Sequence, residues 1–193
     1  MNVINTNLAL QKLKGGYPII FQTDTLPAIG CLPEFSKIIY EIKKRNKDKP
    51  LILMGGEKKH LIEYVHHCAK EDFESVASKF WPGALTMIMP VSEKKRSFLT
   101  SKDSTLGLRI PNSNMAQSFL QKSGPLLTSS ANISGITGSI TVEGIAIDFP
   151  NVDILGPLPW KRCSGTASTI ISWVENQEWR LIREGQIQFK EIC

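Results

Sequence analysis

The apolar runs of this chain are short, and strand-like and helix-like segments follow one another without a regular β-α-β rhythm. That irregularity is the strongest constraint on the fold. A strict alternation would give a parallel sheet, whereas a broken one requires antiparallel neighbours as well. Strands are expected over 17–21, 51–54, 85–91, 105–110, 126–128 and 152–155. A terminal hairpin is expected from 168–173 and 179–183, turning at Asn176 and Gln177. Helices are expected over 5–14, from Pro33 to about 42, over 57–68, from about 73 to 80, from Asn112 or Ser113 to Gly124, and over 141–149. In the first, Leu8 and Leu13 point inward. In the second, Phe35, Ile38, Ile39 and Ile42 form one stripe at i, i+3, i+4 and i+7. Phe73, Val76, Ala77 and Phe80 do the same further on, and both phenylalanines read as core. The expected architecture is an α/β fold, a twisted mixed open sheet with helices packed on it, in one domain spanning 1–193.

Charge is unevenly placed. The chain carries 23 Lys and Arg against 18 Asp and Glu, a formal +5. Residues 43–49 (Lys-Lys-Arg-Asn-Lys-Asp-Lys) contain five cations and one carboxylate, so this stretch alone accounts for most of the excess. It lies where the Pro33 helix ends and the next strand begins. One reading is a solvated helix terminus, which the helix dipole favours. The other is an anion site, since Arg offers a rigid fork to phosphate and Lys a mobile charge. A second cationic cluster, Lys94-Lys95-Arg96, reads as the tip of a polar loop over 93–103.

Other chemistry is mostly excluded by spacing. Cys31, Cys68, Cys163 and Cys193 form no C-x-x-C pair, so zinc and dithiol readings lack their pattern. So few cysteines in a domain of this size fit a reducing cytoplasm. The three histidines fall in one expected helix with no patterned acidic or thiol partner and read as exposed. The N-terminus lacks the features of a secretory signal, and no apolar run approaches ~20 residues, so no membrane partner is expected. Ser129-Ser130-Ala131-Asn132-Ile133-Ser134-Gly135 follows an apolar strand and reads either as a donor-rich anion cradle or as a simple Asx/Ser turn. Arg109, at a strand end before Pro111, reads alone as a surface ion pair.

Four stretches in order resemble the signatures of the YrdC-like family, the L-threonylcarbamoyladenylate synthases. They are Lys43-x-Arg45 with Pro50-Leu51, Phe80-Trp81-Pro82-Gly83-Ala84-Leu85-Thr86, Arg109-Ile110-Pro111, and the 129–135 loop. Ser164-Gly165-Thr166-Ala167-Ser168-Thr169 and Arg183-Glu184-Gly185 resemble later segments of the same family. The resemblance runs from about residue 17 to Gly185. It implies a fold with a concave basic groove and synthesis of threonylcarbamoyl-AMP and pyrophosphate from L-threonine, bicarbonate or CO2, and ATP with Mg2+. The product would feed t6A modification of tRNA adenosine 37 by a downstream transferase machinery. By resemblance, Lys43 and Arg45 are catalytic. Arg45, Lys49, Thr105, Ser130, Asn132 and Arg183 hold ATP. Thr23, Thr25, Arg109 and Ser168 hold threonine, and Asp24 aids the metal or the amine. Two positions depart from the family pattern: Pro27 stands where it has Tyr, and Met54 where it often has His. Both lie on the amino-acid side. Two alternatives remain open: a non-catalytic double-stranded RNA or ribosome-associated binding protein of the same fold, and a structural protein whose basic run is surface charge.

Overall fold

A computed structural model describes residues 1–98, 104–135 and 139–192, with side chains up to residue 95 in the first of these stretches. The strands are β1 (Val3–Ile4), β2 (Ile19–Phe21), β3 (Ala28–Cys31), β4 (Ile52–Met54), β5 (Leu85–Pro90), β6 (Thr105–Arg109), β7 (Leu126–Ser130), β8 (Asp153–Leu155), β9 (Thr169–Glu175) and β10 (Glu178–Arg183). The helices are α1 (Thr6–Lys14), α2 (Lys37–Ile42), α3 (Lys58–Leu61), α4 (Lys70–Phe80), α5 (Asn114–Ser123) and α6 (Val142–Asp148), with short 3-10 turns between them. The described strands form one sheet in the order β1-β8-β2-β3-β7-β4-β6-β5-β9-β10. It is mixed, as expected. β4–β6 and β5–β9 are parallel, whereas β3–β7, β4–β7 and β5–β6 are antiparallel.

Period-two alternation sorts the strand residues onto two faces. Ile29, Leu53, Leu85, Met87, Leu106, Leu108, Leu127 and Ile171 point to one face. There they join a core with Ile39 and Tyr40 of α2, Phe73, Val76 and Ala77 of α4, and Ile145 of α6. The opposite face is only partly covered. Ala9 and Leu13 of α1 and Ala116, Phe119 and Leu120 of α5 pack on Ile19, Phe21, Leu126 and Leu155. Phe21 meets Phe119 edge-on at 5.5 Å, a geometry worth about 1 kcal/mol beyond simple burial. Beyond α1 and α5 the same face is open, and it forms the floor of a groove.

Three local expectations are corrected. Leu8 is exposed; Asn5 caps α1 by accepting from the Leu8 amide at 3.0 Å, and the resulting phase turns Ala9 and Leu13 inward. The helix expected over 57–68 is broken after Leu61, because Val65 is extended and bridges Val91 while the His66 amide bonds Pro90 O at 2.8 Å. Of the three histidines only His67 is exposed; His60 and His66 are half-buried. β1 and β3 were not expected; β3 is four buried residues directly after a polar turn. Residues 99–103 of the expected polar loop and the Arg96 side chain of its cationic cluster lie outside the described residues. No described helix is long and apolar enough to cross a membrane.

Candidate active site

The groove encloses about 440 Å³. Its floor is the uncovered sheet face: Ile52 and Met54 of β4, Thr86 and Ile88 of β5, Thr105, Gly107 and Arg109 of β6, Thr128 and Ser130 of β7, and Ile170 of β9. Thr25, Leu26 and the turn residues Arg45, Asp48, Lys49, Pro50 and Leu51 close one side. Ala167, Ser168, Ile182 and Arg183 close the other. Gly107 keeps the floor low, because any side chain there would stand up into the groove. Thr86 and Thr128 went unrecognised as site residues in the sequence, although their alternation with Met87 and Leu127 places them on the face opposite the core.

The basic turn is built by the end of α2. The Lys44 amide bonds Glu41 O at 3.2 Å and the Arg45 amide bonds Tyr40 O at 2.9 Å. Lys44 is left-handed, with φ +50°. These two bonds and that backbone define a Schellman C-cap, in which the left-handed place usually falls to Gly. The reversal sends neighbouring cations in opposite directions. Arg45 turns to the groove, where Nε donates to Lys49 O at 2.9 Å and Nη2 to Pro50 O at 3.0 Å. Burial lowers its pKa, the nearby Tyr40 partly offsetting this.

Lys43 goes the other way. The family resemblance makes it catalytic beside Arg45, but its side chain is 1% exposed and does not line the groove. Its ammonium donates to Ser130 O and Asn132 O. The 129–135 loop is thus fastened from behind. It is also tied by the Ala131 amide to Pro27 O at 2.7 Å and by the Ser134 amide to Lys43 O at 3.2 Å. Ser130 lines the groove; Asn132 does not, its Oδ1 accepting from Ser130 Oγ.

Arg109 is 3% exposed. Nη2 pairs with Asp24 Oδ1 at 2.7 Å, Nη1 donates to Thr25 Oγ1 at 2.8 Å, and Nε donates to Gly83 O at 3.1 Å. Burial lowers its pKa, and Asp24 acts against that shift. Arg has five N–H donors, so among the described residues one N–H on each terminal nitrogen is left over. The Trp81-Pro82-Gly83 turn presents that Gly83 carbonyl. Trp81 anchors it by stacking edge-on against Phe73 at 5.5 Å and donating Nε1 to Leu85 O at 2.7 Å. Gly83 is obligatory there, since a Cβ would lie 2.3 Å from Phe80 O.

Thr23 sits one layer below the surface: buried, donating Oγ1 to Leu26 O at 2.6 Å and accepting from the Thr25 amide at 3.2 Å. It therefore shapes the Thr25 turn without lining the groove. On the opposite wall Ser168 Oγ meets Thr86 Oγ1 at 2.9 Å, and Arg183 Nη2 donates to Ser168 O at 2.7 Å. Gly185 lets these segments meet, because a Cβ would fall 2.3 Å from Ala167 O. Of the residues singled out in the sequence, Thr25, Arg45, Lys49, Thr105, Ser130, Arg109, Ser168 and Arg183 converge on the groove, whereas Thr23, Lys43 and Asn132 do not line it. The arrangement is an anion-binding cleft. It holds three arginines and a set of hydroxyls, and among the described residues its acidic lining is limited to Asp48.

A mixed, open α/β sheet with such a cleft defines a class of proteins rather than one protein, and comparison with known proteins narrows it. Residues 11–185 match the family model Sua5_yciO_yrdC, described as telomere recombination. The chain belongs to this family. It is 31% identical over 164 residues to the threonylcarbamoyl-AMP synthase of Blochmanniella pennsylvanica, covering 79% of this chain and 84% of that protein. It is 33% identical over 187 residues to the corresponding synthase of Pyrococcus abyssi, but spans only 54% of that longer protein. Among solved structures, Sua5 of P. abyssi complexed with L-threonine superposes with a TM-score of 0.87 at 28% identity, covering 97% of this chain and 56% of that one. YciO of E. coli superposes at 0.81 with 23% identity over 97% of this chain and 92% of its own, and so speaks for the fold alone. These relatives mark the chain as an enzyme of the nucleotidyltransferase type.

Proposed function

We propose that the chain is a threonylcarbamoyl-AMP synthase, joining L-threonine, bicarbonate or CO2, and ATP, with release of pyrophosphate. The observation that carries this reading is the convergence of Arg45, Arg109 and Arg183 on one hydroxyl-lined groove in a family with a threonine-bound member. The reaction needs no protein nucleophile. Threonine's amine adds to CO2 and loses a proton to give a carbamate. A carbamate oxygen then attacks the α-phosphorus, and pyrophosphate leaves with the electron pair of the broken P–O bond. Catalysis is then positioning and charge stabilisation.

The residues fit those tasks. In this reading the two unused N–H groups of Arg109 receive the threonine carboxylate, with Thr25 and Ser168 alongside. Arg45 and Lys49 meet the phosphates from the basic lip, and Ser130, Thr105 and Arg183 orient the nucleotide. Mg2+ arrives on ATP as part of the substrate. Asp24 is committed to Arg109, and no three His, Cys, Asp or Glu side chains converge among the described residues. The donor set therefore suits a metal carried on phosphate oxygens, and its chemistry is to neutralise charge on the departing pyrophosphate. The product would pass in the cytoplasm to the machinery that completes t6A on tRNA adenosine 37.

The test is pyrophosphate release with ATP, Mg2+, bicarbonate and threonine, each omitted in turn. Release that requires threonine and bicarbonate supports the assignment; release indifferent to threonine defeats it. The exposed lip cations Lys44, Lys47 and Lys49 favour, as a second reading, phosphate contacts to RNA that weaken steeply with salt. Salt-sensitive RNA binding by a chain inactive in the assay would establish that reading instead.

A further inference from the structure

The Lys43 ammonium is buried and satisfied by two carbonyls, but no described carboxylate pairs with it within 4.0 Å. The charged groups near it are Arg45 in its own turn, which repels it, and Asp148 at the end of α6, which attracts it from longer range. Lys44 on the same turn is exposed. A buried cation with only neutral partners is costly. Here the loop it holds leaves the groove floor at Ser130, the last residue of β7, and Ser130 joins the two: its carbonyl faces Lys43 while the residue lines the groove.

We infer that Lys43 is a positioning residue that acts from behind the 129–135 loop, holding it in place and lending its charge to a polyphosphate it does not touch, so that nucleotide binding and protonation of Lys43 are coupled. This deepens the synthase reading and rests on it. Burial, with Arg45 adding to it, already brings the Lys43 pKa down to about 8 from its ordinary 10.5. A polyanion on the far side of the loop restores it upward. The sign follows from linkage. Below pH 8 the lysine is charged both free and bound, and affinity is level. As pH rises through 8, the free protein loses the proton while the complex keeps it, so binding takes up a proton and affinity falls.

Calorimetric titration of ATP in two buffers of different ionisation enthalpy at pH 8.5 measures that uptake. For the wild type we expect a fractional proton taken up and a Kd rising about three- to tenfold between pH 7.5 and 9. Lys43→Met should bind more weakly at pH 7.5 and show neither effect. Lys43→Arg keeps a non-titrating cation on the carbonyls, so it should bind ATP within a few-fold of wild type at pH 7.5 with a flat pH profile. Lys79→Met, at an exposed site on α4 that does not line the groove, should behave as wild type. A Lys43→Arg protein that keeps the wild-type proton uptake overturns the inference, as does wild-type binding without uptake. A folded wild type that does not bind ATP overturns the synthase reading itself.

Discussion

Three arginines reach the groove from three different elements, and each is oriented by backbone carbonyls. Arg45 donates to Lys49 O and Pro50 O, Arg109 to Gly83 O, and Arg183 to Ser168 O. A carbonyl fixes the direction of a guanidinium without cancelling its charge, so the charge stays available to an anion. Among the described residues only Arg109 also has a carboxylate, Asp24. Two predictions belong at this scale. Arg45→Ala removes a charge-assisted contact of roughly 1.5–3 kcal/mol together with the clip on the 49–50 backbone. Turnover in the pyrophosphate assay should fall more than tenfold, whereas Lys95→Ala, which breaks a surface pair with Glu63 at 3.6 Å and a contact over the Tyr64 ring at 4.9 Å, both away from the groove, should leave turnover near normal. Asp24→Ala leaves the buried Arg109 cation without its partner, a change that costs about 3 kcal/mol. Urea unfolding should show that loss in the midpoint. A midpoint within a few tenths of a kcal/mol of wild type would mean that the pair contributes nothing net.

At the scale of elements, the turn after α2 decides which cation faces the ligand. K-x-R spacing in a continued helix would put Lys43 and Arg45 about 200° apart, facing away from one another. The observed Schellman cap instead sends Lys43 into the protein and Arg45 over the groove, using a non-glycine residue in the left-handed position. That position costs Lys44 on the order of 1 kcal/mol, and its side chain is exposed. Lys44→Gly should therefore raise stability by about 0.5–1 kcal/mol, the relief of strain outweighing the greater freedom of the unfolded chain. An unchanged or lowered urea midpoint would show that the lysine is not strained there. This turn also explains what the sequence could not show. The charge run and its place between helix and strand were legible, but the direction of each side chain depends on one φ value that a lysine rarely adopts. The broken helix after Leu61 is a similar case: Val65 has its partner in Val91, 26 residues away, and no local pattern reports that.

At the scale of the whole molecule, the groove is what remains of a sheet face after α1 and α5 have covered their share. The mixed sheet was legible because the order of runs excludes simple β-α-β alternation. The convergence of early and late motifs was legible only through family resemblance, since Thr25, Arg45, Arg109, Ser130 and Arg183 have no periodic relation to one another. In the fold they meet because β4 and β6 lie at the middle of the strand order, with β3 and β7 on one side and β5, β9 and β10 on the other. A ligand in the groove therefore bridges segments from residue 25 to residue 183, and its binding energy opposes separation of the two halves of the sheet. Mass action sets the size of the effect: ligand at a hundred times its Kd adds about 2.7 kcal/mol to the folded state. For a chain of this length that corresponds to a rise in Tm of roughly 5–10 °C. Mg-ATP at saturating concentration should give that shift in a thermal melt, and adding threonine should raise Tm further, because the carboxylate site at Arg109 is separate from the phosphate lip. Arg45→Ala at the same ATP concentration should lose most of the ATP shift. If threonine adds nothing on top of ATP in the wild type, the amino-acid half of the groove, where Pro27 and Met54 depart from the family pattern, does not accept it.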